Sequence, residues 1–114
     1  MAKMLDVIQM IRRGELPPPP VAGLIGITMA SVELGRVVME MEVGPQHANP
    51  MGTLHGGILC DLADAAMGMA YASSLDEGET FTTLELKINF LKPVWTGKLV
   101  ATGRVVKEIG RAHV

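Results

Sequence analysis

At 114 residues the chain has room for one smallish domain, and with 48% apolar residues it is too hydrophobic to stay disordered and has the material for a core. A net charge of −2 without any basic block lacks the electrostatic footprint of a nucleic-acid binder. The lone Cys60 excludes an internal disulfide and fits a reducing compartment. No basic-then-apolar signal pattern is present, and the longest apolar stretch, 58–72, is too short to span a bilayer and carries Asp61 and Asp64. The expectation is a soluble, cytoplasmic protein that engages neither nucleic acid nor membrane.

In chain order, residues 2–13 place Met4, Leu5, Ile8 and Ile11 at helical spacing. Arg12 and Arg13 fall in the last turn, where cations complement the helix dipole, and Gly14 follows as a stop. The prolines at 17–20 read as an extended, solvated connector, able to join neither a helix nor a central strand, between a short docking helix (1–16) and the body. "LIGITMASVEL" and "RVVMEMEV" are rich in apolar and β-branched residues. In the second, Val37, Met39, Met41 and Val43 alternate with Val38, Glu40 and Glu42, and Gly35 between the two predicts a hairpin. "GPQHANPMGT" (44–53) is loop chemistry. A long helix is predicted from about Gly56 to Ser73, apolar nearly all round and therefore buried on most sides, with small residues such as Ala63, Ala66, Gly68 and Ala70 letting other backbone come close. "TFTTLELKINFL" (80–91) has the clearest strand pattern, with Leu84, Leu86, Ile88 and Phe90 opposite Thr83, Glu85, Lys87 and Asn89. "KPVWTG" turns, and "KLVATGRVVKEIG" reads as a further strand. The order gives an α+β fold: one domain over 1–114 with an antiparallel sheet on one central helix.

Chemistry concentrates at the start of that helix. Gly56 and Gly57 lie in its first turn, where backbone N–H groups lack intrahelical partners and the dipole is positive. Glycine leaves such donors uncovered, which suits an oxyanion; a tight turn against the sheet would use the same residues. Asp64 follows two turns on. A carboxylate on a buried helix is costly unless paired, so it is either a general base or nucleophile, or an acid satisfied by backbone donors or a subunit contact. Asp61 reads as a surface acid of the first turns. His55 and Asn49 precede the helix, in positions where His often only hydrogen-bonds and Asn often only makes a turn. Cys60, inside the apolar helix, reads as an inert thiol rather than a nucleophile paired with His55. His47 and His113 are expected at the surface. No metal-ligand spacing, GxGxxG or P-loop occurs, so no metal or cofactor is expected.

"NPMGTLHGG" followed by "ILCDLADAAMG", with "TTLELKINFLKPVWTGKL" downstream, resembles the signature of hotdog-fold acyl-CoA thioesterases of the PaaI-like (phenylacetic acid degradation) type. The resemblance runs from about Pro18 to the end of the chain. It implies an antiparallel sheet wrapped around the long helix, and pairing of subunits into a homodimer or homotetramer with active sites at the interface. It implies that Gly56 N–H polarises the thioester carbonyl, Asn49 positions the carbonyl or the attacking water, and His55 supports that loop. Asp64, from the partner subunit, would be general base or nucleophile, and Thr83 would orient the water or else serve as an ordinary strand residue. The family pattern has two further strands, lying inside the sheet, beyond "GRAHV"; their lack would leave unpaired edges and a fold that needs an oligomer. The implied activity is hydrolysis of an acyl-CoA, aromatic or medium-chain, to carboxylate and free CoA, with Lys87, Lys92 and Arg104 as candidate phosphate contacts by charge alone. A non-catalytic acyl-CoA binding module, or an inactive truncated thioesterase, is the alternative. A hydratase on this fold would want an Asp/His pair that the spacing does not give.

Overall fold

The computed structural model describes residues 3–108. Helix α1 covers Lys3–Arg12 and ends at Gly14, whose φ of 80° only glycine adopts without strain. A short helix α2, Pro20–Ile25, leads into the hairpin of β1 (Ile27–Glu33) and β2 (Arg36–Val43). A 3₁₀ turn at Pro45–His47 begins the loop to the long helix α3, Gly56–Ala72, and β3 spans Gly97–Arg104. The sheet is antiparallel in the order β1-β2-β3.

The hairpin forms where the alternation places it. Val37, Met39 and Met41 are buried, and β2 pairs along its whole length with β3, from Arg36↔Arg104 to Val43↔Gly97. The β1–β2 register slips between Met29 and Ser31, leaving Ala30 as a bulge. α3 lies across the buried face and contributes Leu62, Ala66, Ala70 and Ala72 to the core. The approach is close enough for backbone to meet backbone: Gly103 of β3 abuts the Ala66 carbonyl, and a Cβ there would overlap it. Ser73, fully buried, accepts from Gly35 N–H at 2.7 Å and donates to the Ala70 carbonyl at 2.6 Å, which pins the end of α3 to the hairpin turn.

Several expectations need correction. The prolines do not all stand outside helices: Pro20 is the first residue of α2, a position where its missing N–H is not needed. The long helix is fully buried along the face of Leu62, Ala66 and Ala70 and half-buried over most of the rest, with Gly57, Asp61 and Met67 exposed and three strands beside it among the described residues. The largest departure is the segment 80–91. Its predicted faces are not kept, since Thr83 and Phe90, expected on opposite sides, both meet α3 while Leu84 faces solvent, and it pairs with no strand among the described residues. It runs antiparallel alongside α3, with the Phe81 ring against Gly68 and the Phe90 ring against Gly56. Phe81 meets Tyr71 edge-on at 5.4 Å between centroids. Leu84 and Leu91 stand in solvent at 93% and 91% exposure. The pattern of a strand is present in the sequence, but among the described residues no neighbour receives its hydrogen bonds. The last predicted strand ends at Arg104, and its continuation over 109–110 lies outside the described residues, as does His113.

Candidate functional site

The loop before α3 is tied down at both ends. Leu54 N–H donates to the Val94 carbonyl at 2.8 Å, and His55 N–H to the His47 carbonyl at 2.8 Å. His47, expected at the surface, is instead buried at 3% exposure. Its Nδ1 accepts from Gly44 N–H at 3.0 Å, so the ring hydrogen sits on Nε2, which donates to the Ile25 carbonyl at 2.7 Å. One imidazole thus joins the loop to the end of α2. A Gly-Pro-x-His run, in which the 3₁₀ turn folds the ring back onto the glycine, is the signal that could have found it.

Asn49 shapes the same loop. Its Oδ1 accepts from Met51 N–H at 3.0 Å and Thr53 N–H at 3.1 Å, and its Nδ2 donates to Thr53 Oγ1 at 2.7 Å. These are the bonds of an Asx turn. One amide hydrogen of Nδ2 is left for another acceptor.

His55 caps α3. Its Nδ1 accepts from Gly57 N–H at 2.8 Å and its carbonyl accepts from Ile58 N–H at 3.0 Å. The two glycines therefore do different things. Gly57 N–H is consumed by the cap, while Gly56 N–H has no partner among the described residues and stands at the positive end of a 17-residue helix. The Phe90 ring covers this donor's Cα: a Cβ on Gly56 would lie 3.0 Å from Phe90 Cζ.

Two turns along α3, half-buried Asp64 accepts from Thr83 Oγ1 at 2.8 Å. This is the one side-chain bond joining the 80–91 segment to the helix among the described residues, and it brings together two of the expected site residues. Asp64, Asp61 and Thr83 border a cavity of about 740 Å³, otherwise walled mainly by apolar residues of α3, β1, β2 and the N-terminal segment. That volume is in the range of small-molecule sites. Asp61, though exposed, faces the same space as Asp64. Cys60 is a free, half-buried thiol.

Within one chain these groups do not converge. Gly56 and Asp64 are eight residues apart on one helix, a rise of about 12 Å, far beyond the reach of a single reacting carbonyl. Thr83 stays with Asp64, and Asn49 and His55 stay with Gly56, so the chain presents two half-sites: a donor end and a carboxylate end.

Among the described residues no helix is long and apolar enough to cross a membrane. The thioesterase superfamily model matches residues 51–113, a span that holds both half-sites except Asn49. Over 88 residues the chain is 35% identical to the 1,4-dihydroxy-2-naphthoyl-CoA hydrolase of Listeria monocytogenes, covering 77% of this chain and 71% of that one. Over 83 residues it is 34% identical to acyl-coenzyme A thioesterase 13 of Homo sapiens, covering 72% and 59%. The chain thus spans between 59% and 71% of the length of these curated relatives. Among solved structures, a phenylacetic acid degradation-related protein from Ralstonia eutropha superposes with a TM-score of 0.80 at 30% identity, over 90% of this chain and 79% of that one. A three-stranded antiparallel sheet on one long helix among the described residues, superposing so closely at that identity, is a hotdog fold, and the chain belongs to the thioesterase superfamily, a family of thioester hydrolases.

Proposed function

We propose that the chain hydrolyses acyl-CoA thioesters, with aromatic or medium-chain acyl groups, in a PaaI-like homodimer or homotetramer whose active sites are shared between subunits. The observation that carries this reading is the Asp64 carboxylate, hydrogen-bonded to Thr83 at 2.8 Å, at the wall of a mainly apolar cavity of about 740 Å³. The acyl group occupies the cavity. The thioester carbonyl lies at Gly56 N–H of one subunit, and Asp64 and Thr83 reach it from the other. Asp64 takes a proton from water as the water attacks; Thr83 orients the carboxylate; Gly56 N–H and the helix dipole stabilise the oxyanion. Collapse of the tetrahedral intermediate expels the CoA thiolate. Asn49 offers its spare amide hydrogen to the carbonyl or the water, and His55 holds the donor end by capping Gly57. The Listeria and human relatives, named for CoA esters, support this substrate class. Lys87 and Lys92 flank Phe90 where the segment passes Gly56, and with Arg104 they are exposed cations suited to CoA phosphates.

One feature bears on an acyl-CoA binder without turnover: the Phe90 ring packs against the Cα of Gly56, beside the oxyanion donor. Release of free thiol from aryl- and alkyl-CoA thioesters decides between them. Turnover that collapses in Asp64→Asn supports hydrolysis. Binding without thiol release supports the binder and overturns the enzyme.

A further inference from the structure

The N-terminal segment, expected to be a docking helix followed by a solvated proline connector, walls the same cavity as Asp64. Its contribution includes Ile11, Leu16, the prolines 17–19 and Val21. We propose that α1 and the proline strap form the wall that limits the size of the acyl group, with Leu16 as the specificity-determining residue and Gln9 and Arg12 as the clip that holds the wall in place. This rests on the acyl-CoA reading above.

The wall suits an apolar ligand. Proline carries no N–H and fixes its own φ, so three in a row line a greasy space stiffly without presenting a donor that would need a partner. Leu16 is half-buried and Val21 remains 56% exposed, apolar side chains that border the cavity and have no further cover.

The wall is also fastened. Gln9 Nε2 donates to the Val32 carbonyl at 2.7 Å, and Arg12 donates from Nε and Nη2 to the Ala30 carbonyl at 3.0 and 2.8 Å. Ala30 is the bulge residue of β1, outside the β1–β2 register, so its carbonyl is free for this purpose. The sequence thus uses a bulge on an edge strand as an anchor point, and the anchored helix covers that edge. Gln9 acts through the wall and is a positioning residue, while Arg12 both holds the wall and borders the cavity beside Glu15.

The test is a binding ladder that needs no turnover. S-alkyl-CoA thioethers from butyl to dodecyl, which a thioesterase does not cleave, are titrated calorimetrically into the full chain in its native assembly. In the parent, affinity rises with alkyl length and then stops rising. Leu16→Trp lowers the dodecyl-to-butyl affinity ratio by about ten-fold, and Leu16→Ala raises it. Arg12→Met, which keeps an unbranched apolar stem but frees the clip, flattens the ladder's limit, while Arg12→Lys restores it only in part. Ratios that stay at the parental value, within about two-fold, in every folded variant overturn the wall. A parent that binds the ladder with a limit but releases no thiol from the matching thioesters overturns hydrolysis and leaves the wall standing. A parent that hydrolyses thioesters with no dependence on alkyl length overturns the wall and leaves hydrolysis standing.

Discussion

Replacing Gly103 by alanine tests how tightly the fold holds α3, and through it both half-sites. A Cβ at Gly103 would overlap the carbonyl carbon and oxygen of Ala66 and lie 2.7 Å from Met67 N. All of these are backbone atoms, so no side chain can turn aside, and relief requires α3 and β3 to separate. Overpacking a close-packed interior costs about 1–3 kcal/mol, and a clash with backbone belongs at the top of that range, ~3 kcal/mol. For a domain of this size each kcal/mol lowers the melting temperature by about 4 °C, so Gly103→Ala is expected to melt ~12 °C below the parent. Ala66 is two residues beyond Asp64, so the same displacement moves the carboxylate, and activity falls well below the melting point. Thermal melts followed by circular dichroism, with urea midpoints beside them, measure the effect. Gly23→Ala is the control: it lies in α2 with nothing within 4 Å of its Cβ position, and is expected to be neutral or slightly stabilising. A Gly103→Ala protein that melts within about 2 °C of the parent would refute the close backbone approach.

Ser73→Ala removes the acceptor for a part-buried Gly35 N–H and is expected to lower the unfolding free energy by about 1–3 kcal/mol in urea titrations. His47→Ala strips partners from Gly44 N–H and the Ile25 carbonyl and opens a void, so it is expected to destabilise by ~2–4 kcal/mol in the same titrations, whereas a substitution at exposed His55 that keeps the cap, His55→Asn, changes stability by less than about 1 kcal/mol. Thr83→Val deletes the hydroxyl that orients Asp64 while leaving an exposed side chain of similar shape; kcat is expected to drop by about ten-fold or more with the melting temperature nearly unchanged. Leu84→Glu puts a charge on a side chain that is 93% exposed in the single chain, so the chain itself tolerates it, and sedimentation velocity is expected to show a shift from oligomer to smaller species if this segment supports subunit pairing.

What the sequence made legible is what local pattern controls. The hairpin was readable because alternation from Val37 to Val43 and Gly35 between two β-rich runs fix both strands and turn. The long helix was readable from its length and its run of small and apolar residues, and the Gly103–Ala66 contact is the close approach those small residues permit. The segment 80–91 alternates in sequence but forms no ladder among the described residues, since a strand is defined by a neighbour and a pattern cannot supply one; its Thr83 and Phe90, on opposite faces of the pattern, both turn to α3. The prolines at 17–20 are exposed, as a solvated connector is, but local chemistry says nothing about what a stiff segment lies against, and 17–19 also border the cavity; the clip of Gln9 and Arg12 onto β1 sets that. His47 was missed for the same reason: its partner Ile25 is 22 residues away. In the candidate site, Gly56, Asp64 and Thr83 were visible as residue types, but only the geometry separates Gly57, spent on the cap, from Gly56, and pairs Thr83 with Asp64.

The central claim is that one active site takes its oxyanion donor from one subunit and its carboxylate from another, and mixing two inactive variants tests it most directly. Asp64→Ala keeps the donor end, and Gly56→Val, whose Cβ would press on Phe90, blocks it. Each alone is expected to release little thiol from an acyl-CoA. Unfolded together in equal amounts and refolded, half the dimers are mixed and each mixed dimer carries one intact site, so about a quarter of parental turnover returns. A mixture no more active than its components, from assemblies shown to have exchanged subunits, would contradict the shared site.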